Sequence, residues 1–89
     1  MKIIKRTSRF RKDFKRYLNR PDKIEKLLNV VRLLEKEQPI PATMRPHKLT
    51  GNYKDCLECH IEGDLLLIWL DENSDTIFLL RFGTHSEVF

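Results

Sequence analysis

The sequence predicts an α+β fold: an N-terminal strand, a two-helix hairpin, then a three-stranded antiparallel meander, with the helices packed on one face of the sheet. Three observations carry this. Two early stretches repeat apolar residues at helical spacing, three later stretches are apolar or alternating over strand lengths, and prolines and glycines separate them. Eighty-nine residues, 40% hydrophobic and 34% charged, suit a single domain spanning residues 1–89 and exclude a disordered chain. The longest uncharged apolar run, Leu65 to Leu70, is too short to span a bilayer. No apolar stretch follows the basic N-terminus, so the expectation is a cytoplasmic protein without membrane association.

"KIIKRT" sets β-branched residues between charges and reads as the first strand. Thr7 or Ser8 then caps a helix, since a side-chain oxygen there accepts from the free amides of the first turn. In "SRFRKDFKRYLNR", Phe10, Phe14, Tyr17 and Leu18 form one apolar stripe, with Arg9, Arg11, Lys12, Lys15 and Arg16 on the other side. Pro21 suits the first turn of a second helix, whose stripe is Ile24, Leu27, Leu28, Val31 and Leu34. Pro39 ends it. "PIPATMRPHKLTGN" reads as a long loop, uncommon in so small a chain unless it has a task.

In "YKDCLECHI" the alternation puts Tyr53, Leu57, Cys59 and Ile61 on one face and Lys54, Cys56, Glu58 and His60 on the other. Glu62–Gly63 is the expected turn, so that His60 ends one strand and Asp64 starts the next. "DLLLIWL" is apolar on both faces and reads as a central strand. "ENSD" turns into "TIFLLRF", with Arg81 closing that strand and His85 just beyond it.

Cys56 and Cys59 have C-x-x-C spacing but lie where a strand points them to opposite faces, so neither a redox pair nor a zinc site is expected. Charge is unevenly spread: Met1 to Arg20 holds nine Lys or Arg against Asp13 alone, within a chain of net charge +4. Such a block favours a polyanionic partner, although a solvated helix face is the plain alternative.

His47, His60 and His85 are the only histidines. Their spacings of thirteen and twenty-five residues match no compact zinc motif, and no metal or other cofactor is expected. Cleavage of RNA fits the residue types better. The ribose 2′-OH must lose a proton, the leaving 5′-oxygen must gain one, and imidazoles with a reference pKa of ~6.5 can serve both steps. Arg81 adds a planar, permanently charged donor for the phosphorane oxygens. Three scattered surface histidines remain the plain alternative.

"RPHKLTG", "ECHIEGD", "LLLIW" and "LLRFGTHSEVF", in that order behind two helices, resemble the YafQ-like branch of the RelE/ParE toxin superfamily, over Ile3 to Phe89. The resemblance implies a RelE-like fold and a toxin of a type II toxin–antitoxin pair, monomeric when free, that enters the ribosomal A site, cuts mRNA there, and is silenced by a cognate antitoxin. It places the family's functional set on His47, His60, Asp64, Arg81, His85 and Phe89. His85 becomes the general acid, His47 or His60 the base, Asp64 an orienting or sharing group, and Arg81 the phosphorane donor. Phe89 would stack on a codon base. Lys48 and the basic helix residues Arg9, Arg11, Lys12, Lys15 and Arg16 would meet RNA. Pro46, Leu57 and Leu65 depart from residues common in the family, which bears on codon preference. A ParE-like gyrase inhibitor and a non-catalytic RNA- or partner-binding module are the alternatives on the same fold.

Overall fold

A computed structural model of the chain describes residues 1–72 and 75–89. Thr7 separates β1 (Ile3–Arg6) from α1 (Ser8–Lys15): its extended backbone lets Oγ1 accept from the Phe10 N–H at 3.2 Å. The same hydroxyl donates to the Leu79 carbonyl at 2.8 Å, which ties the helix start to the last strand. After Lys15 the chain tightens into turns, with Tyr17 N–H bonded to Phe14 O and Leu18 N–H to Lys15 O. Three-residue turns rotate later residues off a 3.6-residue stripe. Leu18, expected in the core, is therefore 61% exposed, while Tyr17 stays buried.

α2 (Pro21–Glu35) opens on Pro21 as expected. It ends in a paired closure: Gln38 N–H bonds to Leu33 O and Glu37 N–H to Leu34 O, with Glu37 at φ 58°. Leu27 and Leu34 are buried as the stripe predicts, and Val30 joins them fully buried. Both helices cover one face of the sheet. There Phe10, Tyr17, Leu27, Val30 and Leu34 pack on Cys59, Ile61, Leu65, Leu67, Trp69, Ile77, Leu79 and Phe82.

The sheet has five strands rather than four. His47–Lys48 forms a two-residue β2, too short to show any periodicity, within the stretch read as loop. β3 (Leu57–Glu62), β4 (Leu65–Asp71) and β5 (Thr76–Thr84) make the meander, and the order is β1-β5-β4-β3-β2 with β1 parallel to β5. β4 is central, as its two apolar faces require. Its second face forms a smaller core of Cys56, Leu66, Ile68 and Val88, flanked by Leu49, Tyr53, Leu70 and Leu80. Tyr53 therefore lies with that core and not beside Leu57, because residues 51–53 form a 3₁₀ turn ahead of β3. Cys59 and Cys56 fall in different cores, and both are free thiols.

Two further boundaries differ from the sequence reading. β3 continues past His60 to Glu62, with a register shift between them, so the turn is Gly63–Asp64, with Gly63 at φ 49°. β5 runs beyond Arg81 to Thr84, and His85 opens a one-turn helix, α3 (His85–Val88). Of the expected 72–75 turn, Asn73 and Ser74 lie outside the described residues. No helix among the described residues is long and apolar enough to cross a membrane.

Leu27→Ala, which opens a void between α2 and the sheet, is expected to cost about 2–5 kcal/mol in urea unfolding. Leu18→Ala should change stability by less than about 0.5 kcal/mol.

Candidate functional site

Strand register decides which polar side chains meet. His47 pairs with Glu58, Glu58 with Ile68 and Ile68 with Arg81, so these four share a row on the face away from the long helices. His60, Leu66 and Gly83 form the next row on the same face. His47 and His60 are thus neighbours across the β2–β3 pair. Arg81 lies three strands from His47, about 14 Å at ordinary strand spacing. Lys48 pairs with Leu57 and points to the opposite face.

The two sheet histidines differ in their hydrogen bonds. His60 Nδ1 lies 3.0 Å from Gly63 O, and a carbonyl only accepts, so Nδ1 carries the proton. Neutral His60 then has its lone pair on Nε2. His47 Nδ1 likewise donates to Arg45 O at 2.7 Å, but its Nε2 is 2.9 Å from Glu58 Oε2. That second contact needs one further proton, on Nε2 or on the carboxyl. Glu58 is 6% exposed, and its Oε1 is buried without a partner. The His47–Glu58 pair shares that proton in a hydrogen bond, beside His60, whose Nε2 can accept. Glu58 was legible only as a polar-face residue of the strand; its pairing required β2.

The β3–β4 turn and the C-terminal turn carry the remaining groups. Asp64 is exposed in the β3–β4 turn and lines a cleft of about 400 Å³ with Tyr17, Arg20, Lys23 and Thr84. His85 is exposed, and its ring lies 4.7 Å from that of Phe89, which meets Tyr53 edge-on at 5.4 Å. Tyr53 OH donates to Val88 O at 3.1 Å. Arg9, Arg16, Asn52, Tyr53, Arg81 and Phe89 line a second cleft, of about 760 Å³, with Glu87 and Val88. Arg9, Arg11, Lys12, Lys15 and Arg16 are all exposed.

Arg81 is 7% exposed and bonded to Asp13, which is 2% exposed. The hydrogen bond to Asp13 raises the guanidinium pKa further, against the opposing effect of burial. Asp13 went unread as a site residue, although the signal was present: Phe10, Asp13, Phe14 and Tyr17 share one helical stripe, and an acid within an apolar stripe needs a buried partner. Among the described residues, no group of three or more His, Cys, Asp or Glu is gathered as a metal site requires.

Two helices on one face of a five-stranded sheet define the RelE-like class of α+β fold. The family model described as "Bacterial toxin of type II toxin-antitoxin system, YafQ" matches residues 2–89, and the chain belongs to that family. It is 33% identical to the mRNA interferase toxin YafQ of Escherichia coli K12, over 97% of this chain and 94% of that protein. A Haemophilus influenzae relative named as a YafQ toxin is 31% identical, over 70% of this chain and 64% of its own length. A copper-bound mutant toxin from Helicobacter pylori superposes with a TM-score of 0.90 at 35% identity, covering both chains in full. The E. coli DinJ–YafQ complex gives 0.87 at 29% identity, covering 100% of this chain and 99% of that one.

Two measurements check these contacts. Long-range 1H–15N spectra of the imidazoles should show neutral His60 protonated on Nδ1, and Glu58→Gln should move the His47 ring signals while leaving those of His60 in place. Tyr17 OH donates to Glu87 Oε1 at 2.6 Å, and burial, then that bond, pushes the phenol up to about 12. A raised folded-state pKa means stability is fully present below pH ~10, the unfolded value, and is lost as pH rises through about 12. Urea unfolding between pH 9 and 12 should show a loss of up to about 2–3 kcal/mol in the wild type that Tyr17→Phe lacks.

Proposed function

We propose that this chain is the toxin of a type II toxin–antitoxin pair and acts as a ribosome-dependent endoribonuclease on mRNA. One observation carries the reading: His60, its Nδ1 donating to Gly63 O and its Nε2 able to accept, lies beside the hydrogen-bonded His47–Glu58 pair on one sheet face. In the reaction a base removes the 2′-OH proton and O2′ attacks phosphorus. The P–O5′ bond breaks, and an acid protonates the leaving 5′-oxygen. A 2′,3′-cyclic phosphate and a 5′-hydroxyl remain.

His60 Nε2 is the candidate base, and His47 can replace it when the shared proton sits on Glu58 and the Nε2–Glu58 bond opens. Asp64, at the β3–β4 turn, orients the attacking ribose. His85, exposed at the start of α3, is the candidate acid. Phe89 stacks on a codon base, and Tyr53 limits how its ring can turn. Arg9, Arg11, Lys12, Lys15 and Arg16, with Lys48, meet RNA phosphates, so affinity falls as salt rises. The E. coli relative is solved with its antitoxin DinJ. An antitoxin of complementary charge covers the basic surface here, and action on translated message places the protein in the cytoplasm.

Purified protein added to programmed ribosomes tests the reading. Wild type should cut the message, and His85→Ala should slow cleavage by about a hundredfold or more. An uncut message with wild-type protein, or undiminished cutting by the variant, would remove this assignment.

A further inference from the structure

β1 ends at Arg6 and pairs with Thr76–Leu79, so among the described residues no strand lies beside the outer edge of β5 beyond Leu79. α1 takes that place. Asp13 Oδ2 accepts the Phe82 N–H at 3.0 Å, a bond a neighbouring strand would otherwise make. The same oxygen accepts Arg81 Nε at 2.8 Å, and Oδ1 accepts Arg81 Nη2 at 3.3 Å. Arg16 Nη1 stands 3.7 Å from Oδ1 at the solvent side.

Arg81 spends its other donors on the C-terminal turn. Nη2 reaches Glu87 O at 3.1 Å; Nη1 reaches Val88 O at 3.5 Å and Tyr53 OH at 3.4 Å. These five bonds equal the five N–H donors of a guanidinium. The two bonds from Nη1, at 3.4 and 3.5 Å, are the longest of the set. α3 has four residues and cannot hold its shape alone. A cation on its last carbonyls complements them and fixes the turn. His85 and Phe89 sit at its two ends, stacked on each other.

We infer that Asp13 is a positioning residue: it holds the Arg81 guanidinium on the carbonyls of Glu87 and Val88 and so sets where His85 and Phe89 stand. On sequence grounds Arg81 is the donor to the phosphorane; its bonds give it the support of α3 as well. The inference rests on the proposed roles of His85 and Phe89.

Asp13→Asn keeps the shape of the side chain but turns one oxygen into a donor facing donors. On programmed ribosomes, its kcat per folded molecule should fall about tenfold or more, with KM within about twofold. Hydrogen exchange should quicken at the Phe89 amide, which bonds to His85 O, while central β4 amides keep their wild-type rates. Tyr53→Phe removes only the hydroxyl that joins Arg81 to Val88, and should lower kcat by a smaller factor, about threefold. This second variant carries the test if Asp13→Asn does not fold. Wild-type kcat per folded molecule in either folded variant would overturn the inference, as would a loss confined to KM or protection lost evenly across the sheet. His85→Ala in the same assay separates the two readings. If it is inactive while Asp13→Asn cuts normally, only the positioning role fails; if it cuts normally, the proposed acid itself fails.

Discussion

The buried pair of Asp13 and Arg81 ties three parts of this molecule together: α1, β5 and the C-terminal turn. Removing two charges from water is costly, and their attraction in the interior offsets that cost only when the remaining donors and acceptors are filled. Here they are filled: the carboxylate takes a backbone amide of β5, and the guanidinium takes two carbonyls and a phenol. Such a pair adds little net stability over an apolar replacement. Removing one partner alone costs about 3–5 kcal/mol. Its effect is geometric, since it closes an open sheet edge with a helix and ties that helix to the chain's last turn.

β4 imposes the second constraint. A strand that is apolar on both sides needs two covers. The long helices supply one. The other is thin, made of the 3₁₀ turn at 51–53, Leu49 and Val88. Because this cover is partial, polar side chains of β2 and β3 can reach the same face, and the histidines stand there. Gly83 permits the close approach of α3: a Cβ at that position would lie 3.3 Å from Glu87 Cβ and 3.4 Å from Val88 Cγ1. The terminal turn can therefore lie against β5 while presenting His85 and Phe89 outward.

Charge divides between the two kinds of work. The exposed basic residues of α1 are flexible and screened, suited to drawing in a polyanion over a distance of about one Debye length, roughly 8–10 Å in physiological salt. The buried charges are few and each has a stated partner, apart from Glu58 Oε1. An unpartnered buried carboxylate oxygen beside a histidine is costly as structure. On the proposed reading, the cleft lined by Arg9, Arg16, Tyr53 and Phe89 joins the two, leading from the attracting surface to the stacking ring.

By itself the sequence determined the class of fold, the stripes of both helices, the central place of β4 and the separation of the two cysteines. Each of these follows from a period or a breaker that acts over neighbouring residues. It also marked His47, His60, Asp64, Arg81, His85 and Phe89 as the polar and aromatic groups worth following, through residue type and family pattern. Only the tertiary structure decided where each of them stands and what it touches. A two-residue β2 has no period, so His47 could not be matched with Glu58 until β3 lay beside it. A bulge at the end of β3 moved the turn by one residue, which no alternation can announce. Leu18 left its stripe because the last turn tightened, and Asp13 found Arg81 across 68 positions of chain. Local spacing sets which face a residue prefers, but long-range partners are chosen by strand register and by which sheet edges remain open.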